Sequence, residues 1–416
     1  MAKPKLALIP AAQGSKLFSV LPSSGVGDFD FSRSGKATRI NSQGLIEEVA
    51  NGQSRLNYPM IDGKVVGCPH HILEPARTNL LPYSEDFSVS NWSKYGAGTG
   101  VAPILTSNYA ISPDGTLNAS RLQFDKGTGT GSGNMSILFD SLTVTSGLTT
   151  NKNIYLKSNT SEEYDLVLYG SSDASGTNLK KIRVTSEWQR FDVFKTISAT
   201  TTGLSVGLRE INVTGLSNTA DVLIYGAQVE DGSYPTSYIP TNGSTVTRNA
   251  ETANGSGDAA TFNDSEGVLM AEIKGFTDIT TSYHSIQMGN DMLNRIGVGF
   301  SSTSKLFAYK RNSTGSWNSQ YIYNLTLNNK IAISYNTDNN NFWLNGFKID
   351  TNTTVGDLQV QPTILSFNAP NNSENFYGNT KQIQYYNSAL TDIELEQLTS
   401  WTSFTDMAQA QQYSIK

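Results

Sequence analysis

The sequence predicts an all-β protein built of two successive sandwiches, and three observations carry that reading. Runs in which apolar and polar residues alternate recur at short intervals over most of the chain, each bounded by Gly, Asn, Ser or Pro, the pattern of half-buried strands joined by turns. Charged residues are only 16% of the 416, aromatics are 10% and Gly numbers 36; aromatic side chains suit pleated surfaces, while Gly and Asn supply the positive φ that corners need. Helix signals gather at one place, where Thr391 and Glu394 form a capping box ahead of Leu395, Leu398 and Trp401. The length allows two or three domains, and aromatic content with low charge excludes a disordered chain.

Residues 1–75 hold short apolar bursts, Leu6 to Ile9, Leu17 to Leu21 and Leu45 to Val49, and one clear alternation, Asp28-Phe29-Asp30-Phe31. Such a segment does not close a core alone and is expected to be an extended region that docks on neighbours. Over residues 76–248 the alternating runs are Asn153 to Lys157, Tyr164 to Tyr169, Lys181 to Val184, Arg190 to Ile197, Leu204 to Leu208 and Ala220 to Val229, a jelly-roll or sandwich signature. Residues 249–265 open on the small, polar stretch Asn249 to Asp258 and read as a linker. Residues 266–416 repeat the strand pattern from Val268 to Phe276 through Lys381 to Tyr386. Within that series Phe342 and Leu344 alternate, Asn345-Gly346 is a hairpin turn, and Phe347 and Ile349 resume the strand. The short helix closes this second sandwich.

Lys and Arg total 30 against 36 Asp and Glu, a net charge of −6, so no basic field attracts nucleic acid or an anionic membrane surface. No apolar run reaches the ~18 residues of a membrane span, and the stretch Leu6 to Ile9 is too short for a signal-peptide core. The chain is therefore expected to be neither membrane-inserted nor exported by that route. The lone cysteine, Cys68, excludes an intramolecular disulfide and is expected to be a small packed thiol.

Catalytic chemistry finds few footholds. The histidines are His70, His71 and His284, and no Gly-x-Ser-x-Gly elbow occurs. Cys68, His70 and His71 crowd into four residues, too close for tetrahedral zinc, and read as a turn. Asp392, Glu394 and Glu396 fall on a helix as cap and solvent face, while Glu47-Glu48 and Glu162-Glu163 point apart if extended. The Gly-rich stretches 96–100 and 127–133 lack a phosphate-loop ending and read as flexible loops. The oxygen-rich stretches Thr337 to Asn341 and Asn263-Asp264 have calcium-type ligands but read first as turns. Glu74 and Arg77 are expected to pair where the chain approaches the first sandwich. The expectation is a protein with no catalytic residues, no cofactor and no metal site, and not an enzyme.

Aromatic rings remain, because sugar sites lay a ring against the apolar face of a pyranose while hydroxyls meet polar side chains. Trp343 has the opposite parity to Phe342 and Leu344, and Trp317 sits in the polar stretch Ser313 to Asn318, read as a loop. These two are the candidate glycan-binding residues. Trp188 with Phe191 reads as core of the first sandwich, and Trp92 as part of a packing motif.

Several strings carry a resemblance. They are Lys36-Ala37-Thr38-Arg39-Ile40-Asn41 with Gly44-Leu45-Ile46-Glu47-Glu48-Val49, then Cys68-Pro69 followed by Leu73-Glu74-Pro75-Ala76-Arg77-Thr78-Asn79-Leu80-Leu81, then Tyr83-Ser84-Glu85-Asp86-Phe87 with Asn91-Trp92. In these the chain resembles a family of bacteriophage virion proteins, the head-spike and tail-fibre proteins. Pro113-Asp114-Gly115-Thr116, Glu187-Trp188-Gln189-Arg190-Phe191 and Gly226-Ala227-Gln228-Val229-Glu230 are similar to that family's carbohydrate-binding-module-like jelly roll. Phe342-Trp343-Leu344-Asn345-Gly346 and Gln384 to Asp392 are similar to concanavalin A-like or laminin-G-like sandwiches. The resemblance implies a homotrimeric subunit on the virion surface, made in the bacterial host cytoplasm. Its N-terminal region would join other virion proteins, and the whole would act in adhesion to host-surface glycan. Two other classes stay open: a purely structural or capsid-decoration protein, and a polysaccharide-degrading glycoside hydrolase, which needs paired carboxylates in a groove.

Overall fold

The computed structural model describes residues 3–61, 63–170, 179–277 and 280–401, and these form β-sheets with one short α-helix. Alternation along the strands sorts side chains to the two faces of each sheet, and the apolar faces close against one another. In the first sandwich one sheet runs Ser93–Ala97, Met135–Phe139, Ser205–Arg209, Tyr164–Tyr169, Lys180–Val184. The other runs Val101–Ala110, Ala119–Asp125, Thr219–Asp231, Thr149–Ser158, Gln189–Thr196. Leu122, Phe124, Ile154, Leu156, Leu166, Leu168, Val206, Leu208, Val222 and Ile224 fill the space between. Trp92 plugs one end of this core, its ring 5.1 Å from Phe87 and its Nε1 donating to the Tyr83 carbonyl at 2.9 Å.

The distal sandwich takes its strands from three parts of the chain. Its large sheet has 11 strands, and the central order is Thr252–Asn254, Phe29–Ser32, Lys16–Leu21, Leu6–Gln13, Gly378–Tyr386, Gly267–Lys274, Asn329–Tyr335, Asn340–Leu344, Phe347–Asn352. His70–Leu73 also pairs with Gly378–Tyr386. The facing sheet runs Gly315–Tyr321, Leu306–Asn312, Arg295–Phe300, His284–Gly289, Leu365–Ser366. Asn345 (φ 49°) and Gly346 (φ 90°) make the tight left-handed corner between Asn340–Leu344 and the edge strand Phe347–Asn352, as the Asn-Gly pair favours. The helix Asp392–Thr399 starts at Thr391, whose hydroxyl accepts from Glu394 N at 3.3 Å while the Glu394 carboxylate accepts from Thr391 N at 3.0 Å.

Within residues 3–75, Leu6–Gln13, Lys16–Leu21, Phe29–Ser32, Leu56–Asn57 and His70–Leu73 are thus strands of this chain's own distal sheet, with Leu6, Leu8, Leu17, Phe29 and Phe31 buried in its core, while Ala37–Ile40 and Ile46–Val49 pair apart as a two-stranded ladder. They cannot close a core alone, and the distal sheet supplies the missing face. Residues 249–265 are no linker: Thr252–Asn254 is a strand against Phe29–Ser32, Ser256 is buried, and Phe262 packs edge-on to Tyr385 at 5.0 Å. Backbone pairing needs no apolar side chain, so a small, polar segment can be sheet when a partner strand arrives from afar. His70 and His71 lie in a buried strand rather than a turn, and burial pushes both down to about 4. Cys68 is exposed, not packed.

The first sandwich is inserted into the distal one. The chain enters it along Arg77–Asn79 and leaves along Val246–Arg248, and the two segments pair antiparallel, Arg77 opposite Arg248. Beneath this ladder lies a buried ionic cluster. Arg33 Nη1 and Arg55 Nε each donate to Glu251 Oε1 at 2.8 Å, and Arg55 Nη2 also meets Glu251 Oε2. Arg55 Nη2 donates to Glu74 Oε2 at 2.7 Å and Arg248 Nη1 lies 2.9 Å from the same oxygen. The expected Glu74–Arg77 pair does not form, because Arg55 and Arg248 already occupy the carboxylate. Burial pushes Glu74 up, but Arg248 and Arg55 outweigh it and hold the group down to about 2.

Candidate functional site

At the seam where the inserted sandwich meets the distal one, a cavity of about 380 Å³ opens, with Arg77, Tyr234, Phe276, His284 and Tyr377 around it, all half-buried. That volume falls in the ~300–1,000 Å³ range of small-ligand sites. Tyr234 follows the exit of the strand Thr219–Asp231, where Gly232 N donates to the Thr149 carbonyl at 2.7 Å. Gly232 has φ +120°, and a Cβ there would lie 2.8 Å from Arg77 Nη2, so glycine is what lets the guanidinium come in. Arg77 Cζ sits 5.3 Å from the Tyr234 ring centre, and Tyr234 stacks on Phe276 of the distal sandwich at 5.6 Å and 17°. One guanidinium and two rings therefore bridge the seam.

A second ring pair faces them. His284 and Tyr377 have centres 5.6 Å apart at 54°, and His284 Nδ1 is 2.8 Å from the Asn375 carbonyl. A carbonyl only accepts, so Nδ1 carries the proton. Burial lowers His284 from its ordinary value, against the opposing Asn375 bond, which leaves a neutral ring at pH 7. Thr149, Ser233, Thr281 and Ser282 add hydroxyls, and no Asp or Glu lines the cavity among the described residues. Half-open rings, hydroxyls and guanidinium donors are the mixture that meets the apolar faces and hydroxyls of a sugar.

The two tryptophans singled out from sequence lie elsewhere and are packed. Trp343 is 5% exposed, held between the large sheet and the helix with Val268, Met270, Leu395 and Leu398. Its parity is outward from the sandwich interior, but the helix covers that outward face. Trp317 is 8% exposed and lies on the strand Gly315–Tyr321, opposite Lys310, with Nε1 donating to Asp350 Oδ2 at 3.1 Å. The turn is confined to the preceding residues, where Asn312 Oδ1 accepts from Gly315 N at 2.8 Å. The exposed rings that motivated both assignments do not exist at these positions.

Trp188, read as core, is instead half-buried on the outer face of the first sandwich, against Ile46, Tyr225 and Tyr238. It borders a second cavity of about 430 Å³ with Ile46, Met60 and Tyr155. There Arg190 is fully engaged, donating to Asn153 Oδ1 at 2.6 and 3.0 Å and to the Thr236 carbonyl at 2.7 Å. The seam is the more polar of the two and has donors to spare.

Two carboxylates missed from sequence do converge. The Tyr225 hydroxyl lies 3.2 Å from Glu85 Oε1 and 3.1 Å from Asp114 Oδ2. Burial pushes Glu85 up; Asp114, against its own burial, is held low by hydrogen bonds from Ser112, Thr116 and Asn118. Asp114 is thus spent on the turn that carries it. At the stretch Thr337 to Asn341, Lys310 Nζ donates to Asn340 Oδ1 at 2.9 Å, placing a cation on the amide oxygen. No group of three or more His, Cys, Asp or Glu suited to a metal ion occurs among the described residues.

No family model matches the chain, and no curated protein matches it. Among solved structures, domain 4 of the GH43 extracellular arabinanase AbnA of Geobacillus stearothermophilus, in complex with arabinotriose, is 14% identical and has a TM-score of 0.30. The match covers 40% of this chain and 81% of that one. The CBM40 of the Ruminococcus gnavus IT-sialidase is 14% identical with a TM-score of 0.30, covering 35% of this chain and 94% of its own. Domains LG4-5 of the mouse laminin alpha1 chain are 10% identical with a TM-score of 0.23, covering 60% and 91%.

Proposed function

We propose that the protein is a glycan-binding component of a bacteriophage virion, attaching the particle to saccharide on the host surface through the seam cavity. The observation that carries this reading is the pairing of half-open rings from both sandwiches, Tyr234 with Phe276 and His284 with Tyr377, around hydroxyls and a guanidinium. Trp343 and Trp317, by contrast, are covered. The virion setting rests on the sequence strings shared with spike and fibre proteins. Ile9, Phe18 and Val20, exposed on the N-terminal strands, support contact of that region with other virion proteins. A homotrimer belongs to the same reading, and light scattering of the whole chain tests it. Binding without cleavage is favoured, since no carboxylate lines the seam among the described residues.

The test is adsorption to host cells and to purified host polysaccharide by Phe276→Ala and Tyr377→Ala, alongside melting curves. Each loses ring contact worth ~0.5–1.5 kcal/mol beyond area burial, so adsorption should fall several-fold while both sandwiches stay folded. Unchanged adsorption by both folded variants would overturn the seam assignment.

A further inference from the structure

Arg77 stands out from the cations buried nearby. Arg33, Arg55 and Arg248 all have carboxylate partners in the ionic cluster. Arg77, a few ångströms away on the same short ladder, has none among the described residues. Its recorded bonds are one from Nη1 to the Ala76 carbonyl at 3.2 Å and the stack on Tyr234, and its Nε is buried with no partner. A guanidinium carries five donors in a planar fork and cannot discharge itself by losing a proton. Burying part of it costs solvation, which structures ordinarily offset with a counter-ion. Here the chain has done the opposite. It has cleared space for the fork with Gly232 and set the side chain in the wall of a cavity that no Asp or Glu lines among the described residues. In a protein of net charge −6, that is a local reversal of sign aimed at one place.

We infer that the seam cavity selects acidic saccharides, with the Arg77 fork receiving the carboxylate of a sugar acid while the sugar's apolar face lies against the rings of Phe276 and Tyr377. Arg77 would donate two parallel N–H···O bonds to a planar carboxylate, a match that a lysine cannot reproduce. This rests on the glycan-binding reading of the seam and adds its substrate class.

The measurement is calorimetric titration of the whole protein with matched pairs. One pair is tri-galacturonic acid and its methyl ester, the other 3′-sialyllactose and lactose, each at low and high salt. Arg77→Gln and Arg77→Lys are run beside the wild type. The expected result is that at least one acidic member binds about tenfold or more tighter than its neutral partner. That margin should shrink with salt, vanish in Arg77→Gln and be only partly kept in Arg77→Lys. Which pair shows the margin tells a uronic acid from a sialic acid. The comparison between ligands needs no variant, so it stands even where Arg77→Gln fails to fold. Equal binding of acidic and neutral members, or an undiminished margin in a folded Arg77→Gln protein, overturns the role of Arg77 and leaves glycan binding intact. Binding of neither pair, with adsorption to host cells untouched by Phe276→Ala and Tyr377→Ala, removes both.

Discussion

In the first sandwich both sheets are made wholly from residues 93–231, whereas the large distal sheet combines Leu6–Gln13, Lys16–Leu21, Phe29–Ser32, His70–Leu73 and Thr252–Asn254 with strands from 267 to 386. The first is an insertion with its own core; the second is a unit whose pieces flank it in the chain. Order in sequence is therefore a poor guide to what stabilises what. The N-terminal strands adjoin the first sandwich in the chain, yet they complete the core of the distal one.

Cutting the chain at the boundaries of the two sandwiches should have the largest effect. A chain lacking residues 1–32 loses Leu6, Leu8, Leu17, Phe29 and Phe31 from the distal core, where each large apolar side chain is worth ~2–5 kcal/mol. Calorimetry should show the distal transition abolished, while residues 80–245 expressed alone still melt cooperatively. A truncated chain that keeps both transitions would show that the N-terminal strands are dispensable to the distal core.

A smaller effect tests the joint. Glu251→Ala leaves Arg33 and Arg55 buried with one carboxylate fewer, and breaking a buried pair costs ~3–5 kcal/mol. Lys36→Ala, which removes an exposed pair with Glu48, should cost at most ~1 kcal/mol. Urea denaturation separates the two, and equal costs would mean the cluster is ornamental.

The finest contrast is with pH. His70 and His71 sit in the distal sheet with folded values of about 4, below the ordinary 6.5. Their neutral forms are favoured on folding, so their contribution is complete above pH 6.5 and lost as pH falls to about 4, up to ~3 kcal/mol for each ring. Glu74 adds acid sensitivity from about 4.5 downward to about 2. The first sandwich holds Asp140, raised by burial to about 6, so this group favours folding more as pH falls from 6 toward 3.8. Melting curves between pH 7 and 4 should show the distal transition falling faster than the first, and parallel shifts would refute the assignment.

Local features were readable in the sequence. The alternation of Tyr164 to Tyr169, the Asn345-Gly346 corner and the Thr391 cap each depend on neighbours within a few residues, and each is formed. Trp343 shows where that reading stops. Its parity was right, but parity says only which side of a sheet a residue is on, not whether a helix lies there. The strand Thr252–Asn254 was invisible because its partner, Phe29–Ser32, is some two hundred residues away and contributes the apolar side chains. The seam had no local signature either. Arg77 drew notice, yet Tyr234, Phe276, His284 and Tyr377 meet it only because the inserted sandwich folds back on its host.

The pairing of Leu6–Gln13 with Gly378–Tyr386 sets a clock on synthesis. At ~5–20 residues per second, Leu6–Gln13 waits tens of seconds for its neighbour. The inserted sandwich has all its strands by residue 231 and can condense during the wait, while Leu6 and Leu8 have no permanent cover until the last long strand emerges. Closure of the large sheet therefore requires that synthesis has passed Tyr386. A chain aborted before Gly378 keeps an open edge and an uncovered apolar strand, the features by which chaperones and proteases recognise unfinished products.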